Sequence, residues 1–142
     1  MLDSKNNFNN LKIHTQYSIC EGAIKIDELA EYCKSNKIKC LGLADSFNLC
    51  GALEFSEKLS KVGTHPIIGT QINLKDKNIE GKITLYAKTE EGYKNLTRLS
   101  SLSYLNTKGD ENPGCKFEDL TANNKDIILL TGNYRDFFGQ LF

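Results

Sequence analysis

The sequence has no charge imbalance: eighteen lysines and arginines offset eighteen aspartates and glutamates. Duplex DNA binding relies on net neutralisation of phosphates, so a chain of this balance is not a self-sufficient DNA binder. No apolar run approaches the roughly 20 residues of a membrane span. The opening MLDSKNNFNN is polar and lacks the apolar core of a signal peptide. There is no C-x-x-C pair, and the cysteines are odd in number, at positions 20, 33, 40, 50 and 115. That pattern argues against a zinc knuckle. The simplest reading is reduced thiols in a cytosolic protein, with Cys33, Cys40 and Cys50 on or beside apolar faces. Neither G-x-x-x-x-G-K-S/T nor G-x-G-x-x-G is present, so no Gly-rich phosphate loop exists. A G-x-S-x-G nucleophile elbow is missing too. The two histidines, His14 and His65, are few for a metal site.

What is there reads as one domain, or part of one, in 142 residues with 39% apolar and 25% charged content. Its organising stretch is LGLADSFNLCGALEF, residues 41 to 55. An uncharged run, Cys40 to Ala44, is short enough for a buried strand. It breaks at the turn-forming Asp45-Ser46-Phe47-Asn48. Apolar residues resume at helical spacing with Ala52, Phe55, Leu59 and Val62. This is strand, polar turn, helix, with an acid where α/β proteins place their sites.

Around that unit the chain alternates. Residues 1 to 7 read as a loose terminus. Leu11 and Ile13 alternate with polar residues, predicting a first strand over 8–14. Ile26, Leu29, Ala30 and Cys33 form one helical stripe within 25–36, with Asp27 and Glu28 at its positive end and Lys34 at its negative end. Strand 39–44 and helix 51–62 follow, with Gly63 placed as a cap. Strand 67–74, a charged turn over 75–81, strand 82–87 and helix 90–103 come next. A turn-rich loop spans 104–115, a short helical turn 117–120, a buried strand 126–131, and the first turns of a helix 135–142. Alternating strands and helices predict an α/β protein with a mostly parallel sheet. The apolar ending Leu141-Phe142 reads as a break inside a longer protein, which would leave a strand edge without a partner.

The candidate polar pocket is Lys12, His14, Glu21, Asp45 and Gln71, at or just beyond the ends of the first three strands. Residue types alone favour satisfied polar groups closing the mouth, because too few strong ligands converge to hold a divalent metal. Asp45 also has the place of a signal receiver's phospho-acceptor. That fold needs further acids at the end of its first strand, where this chain has Lys12-Ile13-His14.

Three blocks, LKIHTQYSICEGAIKIDELAEYCK, LGLADSFNLCGALEFSEKLSKVGTHPIIGTQINL and ITLYAKTEEGYKNLTRLSS, resemble the PHP domain at the amino terminus of bacterial DNA polymerase III alpha subunits. The Tyr17-Ser18 pair, the Asn48-Leu49 turn and the run from Glu91 to Leu96 make the likeness specific, and it extends from about Phe8 to the chain end. The resemblance implies a distorted seven-stranded α/β barrel, of which 1–142 is roughly the first half. It also implies a whole subunit that extends DNA by nucleotidyl transfer, with Mg2+ in a polymerase body absent here. DNA contacts would lie in the absent domains, and the setting would be cytoplasmic with no membrane.

Metal-binding PHP domains use H-x-H after strand one, an acid a few residues on, Asp-His after strand two and Gly-x-Glu on strand three. Here the pair reads Lys12-Ile13-His14, Glu21 stands where Asp is common, Asp-His reads Asp45-Ser46, and Gly-x-Glu reads Gly69-Thr70-Gln71. Lys82 lies near the place of a further histidine. Two lost imidazoles, a lost carboxylate and a gained positive charge are hostile to a metal cluster. The resemblance therefore implies no metal and no catalytic residue on this segment. It implies a scaffold that docks a proofreading exonuclease and other replicase subunits. The alternative is a metal-dependent phosphoesterase or nuclease retaining His14, Glu21 and Asp45. Strand alternation places Lys12 on the side of His14, so Lys12 is expected to pair with Asp45 or Glu21 in place of a metal.

Overall fold

The computed structural model describes residues 8–107, 109 and 112–141. The expected loose terminus 1–7 lies outside the described residues, as do Lys108, Asp110 and Glu111 of the expected loop and Phe142 of the expected last helix.

Helix α1 (Ile26–Ser35) buries Ile26, Leu29, Ala30 and Cys33, with Asp27 and Glu28 in its first turn and Lys34 in its last. Strand β1 (Cys40–Ser46) is buried at six of its seven positions. Helix α2 (Ala52–Lys61) buries Ala52, Phe55 and Leu59. It ends where Gly63 adopts φ +82°. The Gly63 N–H then donates to Ser60 O and the Thr64 N–H to Leu59 O, the paired bonds of a left-handed cap.

Strands β2 (His65–Asp76) and β3 (Ile79–Ala87) are longer than the apolar runs predict. The charged stretch read as a turn is mostly strand, because its charges pair across the hairpin. Lys75 faces Glu80 in the register, with ammonium and carboxylate 3.6 Å apart. Only Lys77 and Asn78 remain to turn the chain, and a two-residue connection makes the strands antiparallel. Helix α3 (Glu90–Leu105) starts at Thr89, whose Oγ1 accepts from the Gly92 N–H at 3.2 Å. Strand β4 (Gly114–Lys116), which begins within the expected 104–115 loop and runs past its end, is followed by α4 (Phe117–Ala122) and β5 (Ile127–Leu130). Residues Phe138–Leu141 form a 3-10 turn rather than an α-helix.

The α/β class stands, but the sheet is mixed rather than mostly parallel. Its order is β1-β2-β3-β5. β1 and β4 run parallel to β2, while β2–β3 and β3–β5 are antiparallel. β4 takes over the edge of β2 that β1 leaves after Gln71. Among the described residues β5 ends the sheet on the other side.

The predicted first strand reduces to one parallel bridge, Ile13 with Leu43. The Ile13 N–H donates to Gly42 O and the Ala44 N–H to Ile13 O. An even ladder would next bring the Gly42 N–H to Leu11 O; it reaches Asn10 O instead, at 2.9 Å. One extra residue bulges the segment. In the other direction, the Thr15 N–H that would continue the ladder is captured by the Asp45 side chain at 2.6 Å. Alternation of Leu11 and Ile13 does not reveal either event.

Among the described residues, helices α1 to α4 lie on one face of the sheet. Leu41 and Leu43 join Ile26, Leu29, Phe55 and Leu59 in one apolar cluster, while Ile72, Leu74, Ile83 and Leu85 join Leu96, Leu99 and Leu120 in a second. Leu49, after the β1 turn, touches both. The opposite face carries Ser46, Gln71 and Thr84 in register, then Asn73 beside Lys82.

The bulge fixes Gly42. A Cβ there would stand 2.1 Å from the Leu11 carbonyl oxygen, a backbone atom with little room to move. Gly42→Ala is expected to destabilise the protein by about 1–3 kcal/mol, the usual cost of overpacking. An unchanged urea midpoint would contradict this close approach.

Candidate functional site

The site is built by the loop between Ile13 and α1 folding over the end of β1. Asp45 is fully buried and alternates onto the helix-packed side of β1 with Leu41 and Leu43. Its Oδ1 accepts from the Thr15 N–H at 2.6 Å and from Ser18 Oγ at 2.7 Å, and its Oδ2 accepts from Thr15 Oγ1 at 2.7 Å. Asp45 therefore lies behind the predicted pocket rather than in it, and supports the loop that forms the pocket's rim.

Ser46, the next residue, points to the open face. Its hydroxyl donates to Glu21 Oε2 and lies 3.4 Å from His14 Nδ1. Ser18 Oγ lies 3.3 Å from the same nitrogen and accepts from the Ser46 N–H at 3.0 Å. Both hydroxyl protons are committed to carboxylates, so both oxygens turn lone pairs toward Nδ1. That assigns the ring proton of neutral His14 to Nδ1.

Glu21 Oε1 meets the Lys82 ammonium at 2.9 Å. That ammonium also stands 5.7 Å from the centre of the Phe47 ring. Phe47 holds φ +62° and donates its N–H to Gln71 O at 2.7 Å. Gln71 is buried beside Ser46 in the register, with Nε2 3.5 Å from Thr84 Oγ1. Beyond it, Tyr86 donates its hydroxyl to Leu11 O at 2.6 Å, and burial pushes its phenol up to about 12. Outside Lys82 opens a cleft of about 460 Å³ lined by Glu21, Phe47, Asn73, Arg135 and Asp136 among others.

The expected Lys12 pair does not form. Lys12 is exposed, its backbone N–H bonds Asn10 Oδ1 at 3.1 Å, and among the described residues its ammonium makes no ion pair. The bulge at 10–12 breaks the alternation that would have aimed it inward. The structure thus brings His14, Glu21 and Ser46 together, leaves Gln71 adjacent, and places Asp45 behind and Lys12 outside. Ser18 and Lys82 complete the cluster. Alternation along Lys82-Ile83-Thr84-Leu85 carries the signal for Lys82, since apolar Ile83 and Leu85 must face the helices. The five cysteines are unpaired; Cys33 and Cys115 are buried, and Cys50 is exposed rather than covered.

The family described as PHP domain matches residues 10–142. The chain belongs to the PHP domain family. It is 41% identical over 126 residues to the DNA polymerase III subunit alpha of Rickettsia felis, covering 87% of this chain and 10% of that protein. It is 36% identical over 135 residues to the subunit alpha of Caulobacter vibrioides, covering 88% and 12%. The chain thus spans about a tenth of the length of these curated relatives. Among solved structures, an amidohydrolase from Chromobacterium violaceum matches with a TM-score of 0.53, over 68% of this chain and 33% of that one. At 17% identity this shows a shared fold.

A PHP site with metals needs open imidazole and carboxylate donors. Here both Glu21 oxygens are engaged, by Lys82 and Ser46, and both Asp45 oxygens by the loop. Among the described residues no group of three or more His, Cys, Asp or Glu could hold a metal ion, and no buried side-chain nitrogen or oxygen lacks a hydrogen-bond partner. An ammonium bonded directly to the central carboxylate repels a dication. These residues do not fit a metal cluster.

Burial, then the Lys12 charge, hold the His14 imidazole below its ordinary value of 6.5, against the opposing pull of Glu21 and Asp45, with Lys82 adding to the depression. Hydrogen bonds from Ser46 and Lys82 hold Glu21 below its ordinary 4.5. Both shifts make the unfolded chain the better proton acceptor, so stability rises with pH. The His14 contribution is fully present above pH 6.5 and is lost as pH falls through the lower folded value. The Glu21 contribution is lost similarly below pH 4.5. Urea midpoints from pH 4 to 8 should show this fall, and His14→Gln should flatten its upper part. Separately, Asp45→Asn turns an amide donor toward protein donors at one of the two oxygens. It should cost about 1–3 kcal/mol or more, and a melting temperature equal to that of the unsubstituted protein would refute the buried three-donor geometry.

Proposed function

We propose that this chain is the amino-terminal part, roughly the first half, of the PHP domain of a replicative DNA polymerase III alpha subunit. In this reading its site is a metal-free scaffold rather than a hydrolytic centre. The names of the relatives, and identities of 36–41% over nearly nine-tenths of the chain, support the assignment. The observation that carries the scaffold role is the closed set Lys82–Glu21–Ser46. It fills the mouth of the site with protein groups bonded to one another. DNA synthesis with Mg2+, and contact with DNA, would belong to parts of the subunit beyond these residues. This segment would help dock a proofreading exonuclease and other replicase subunits in the cytoplasm. No helix among the described residues is long and apolar enough to cross a membrane.

The rival, a metal-dependent phosphoesterase working through His14, Glu21 and Asp45, meets a direct obstacle. Activated hydroxide requires a bound metal, and two of its three proposed ligands already have both oxygens occupied by protein donors.

The protein as purified should hold no stoichiometric zinc, manganese or magnesium at this site, and this domain should hydrolyse no phosphomonoester. Elemental analysis with chelator-sensitive hydrolysis assays is the check. Two or more ions per chain bound through His14 and Glu21, with hydrolysis lost on chelation, would establish the rival.

A further inference from the structure

Glu21 and Lys82 lie 61 residues apart in sequence and on different parts of the fold. Glu21 sits on the loop that Asp45 anchors. Lys82 sits on β3, which is separated from β1 by the whole of β2. Glu21 is presented by a tight turn in which its own N–H and that of Gly22 both donate to Ser18 O. From there one carboxylate oxygen takes the hydroxyl at the end of β1 and the other takes the ammonium of β3. The single carboxylate therefore spans β2. Lys82 is held in place by its strand register opposite Asn73 and by the Phe47 ring beside its ammonium.

We infer that Lys82 is the resident cation of this site, a positioning residue that clamps Glu21 and thereby fixes the rim loop across β1 and β3. This is the structural task that, in a metal-loaded site, would fall to an ion bridging the same segments. Neither Lys12 nor His14 can substitute, since the first is exposed and the second bonds hydroxyls. The pair is partly exposed, 37% and 39% at the two side chains, so the clamp is local: it orders the loop without carrying the fold. The inference rests on the metal-free reading of the site, and the experiment separates the two.

Hydrogen exchange of the peptide covering residues 15–24 reads the clamp directly, in the protein and in its Lys82→Met, Glu21→Gln, double and Lys82→Arg variants. Each of the first two should lose about fivefold in protection, the scale of a partly exposed ion pair. The double variant should lose no more than Glu21→Gln alone, because the bond that Lys82→Met removes is already gone in that variant. Lys82→Arg, which keeps the charge, should restore most of the protection. Unchanged exchange in Lys82→Met, or losses that multiply in the double variant, would overturn the clamp while leaving the metal-free reading intact. Manganese addition to the unsubstituted protein, or removal of divalent ions by EDTA, should leave the same peptide unaffected. A change of protection in either would overturn the metal-free reading and the clamp with it.

Discussion

A buried carboxylate met by neutral backbone and hydroxyl donors holds this site together. Asp45 has no exposed surface, and a carboxyl group in that position is costly unless hydrogen-bonded. Three protein donors meet it, all from Thr15 and Ser18. Because one of them is the Thr15 backbone N–H, the same bond that satisfies Asp45 ends the pairing of the first segment with β1. Everything downstream depends on that diversion. The chain leaves the sheet at Thr15, and Ser18 is brought under Ser46. The turn at Ser18 then carries Glu21 over the open face. Remove the carboxylate and the reason for the loop's course disappears, although both apolar clusters would persist.

The distribution of charge follows from backbone geometry rather than composition. Lys12 and Lys82 are both near the mouth in sequence terms, and both depress the His14 proton affinity. Only Lys82 enters. A regular ladder stands behind it: β2 and β3 pair continuously from Gly69 with Tyr86 to Asp76 with Ile79, so alternation is strict and Lys82 must share a face with Thr84. Lys12 instead stands in a bulge over Gly42, where two-residue periodicity fails. The ammonium on the regular strand is the one placed within bonding distance of Glu21.

That contrast explains how much was legible in advance. The helical stripes of α1 and α2, the Gly63 cap and strand β1 were readable because each rests on local chemistry with a fixed period. His14 and Glu21 were readable as neighbours from their places at or just beyond strand ends, whereas Ser46 joined them only through residue order in a known kind of domain. The full length of the hairpin is not legible in the sequence, because charged residues such as Lys75 and Glu80 resemble a turn until their partners across the strand are known. The direction of Asp45 follows the alternation of Leu41 and Leu43 along β1 and was open to the same reading. The exposure of Lys12 was hidden for a deeper reason: it depends on the bulge at which the Gly42 N–H takes Asn10 O instead of Leu11 O, and no periodicity within that segment encodes the choice.

Mutual satisfaction of the site also bears on its chemistry. A general base needs a lone pair free to receive a proton from substrate or water, and a nucleophile needs a base to activate it. The Ser46 hydroxyl already donates to Glu21, and the His14 nitrogen that faces it carries the ring proton, so no activated serine results. Glu21 is held below its ordinary range by that hydroxyl and by Lys82, which weakens it as a base near neutrality. The proposed scaffold reading takes each of these bonds as serving stability rather than reactivity. A site with these priorities suits a part whose duty is to keep a loop and a strand end in fixed relation, and the proposed scaffold role asks only that.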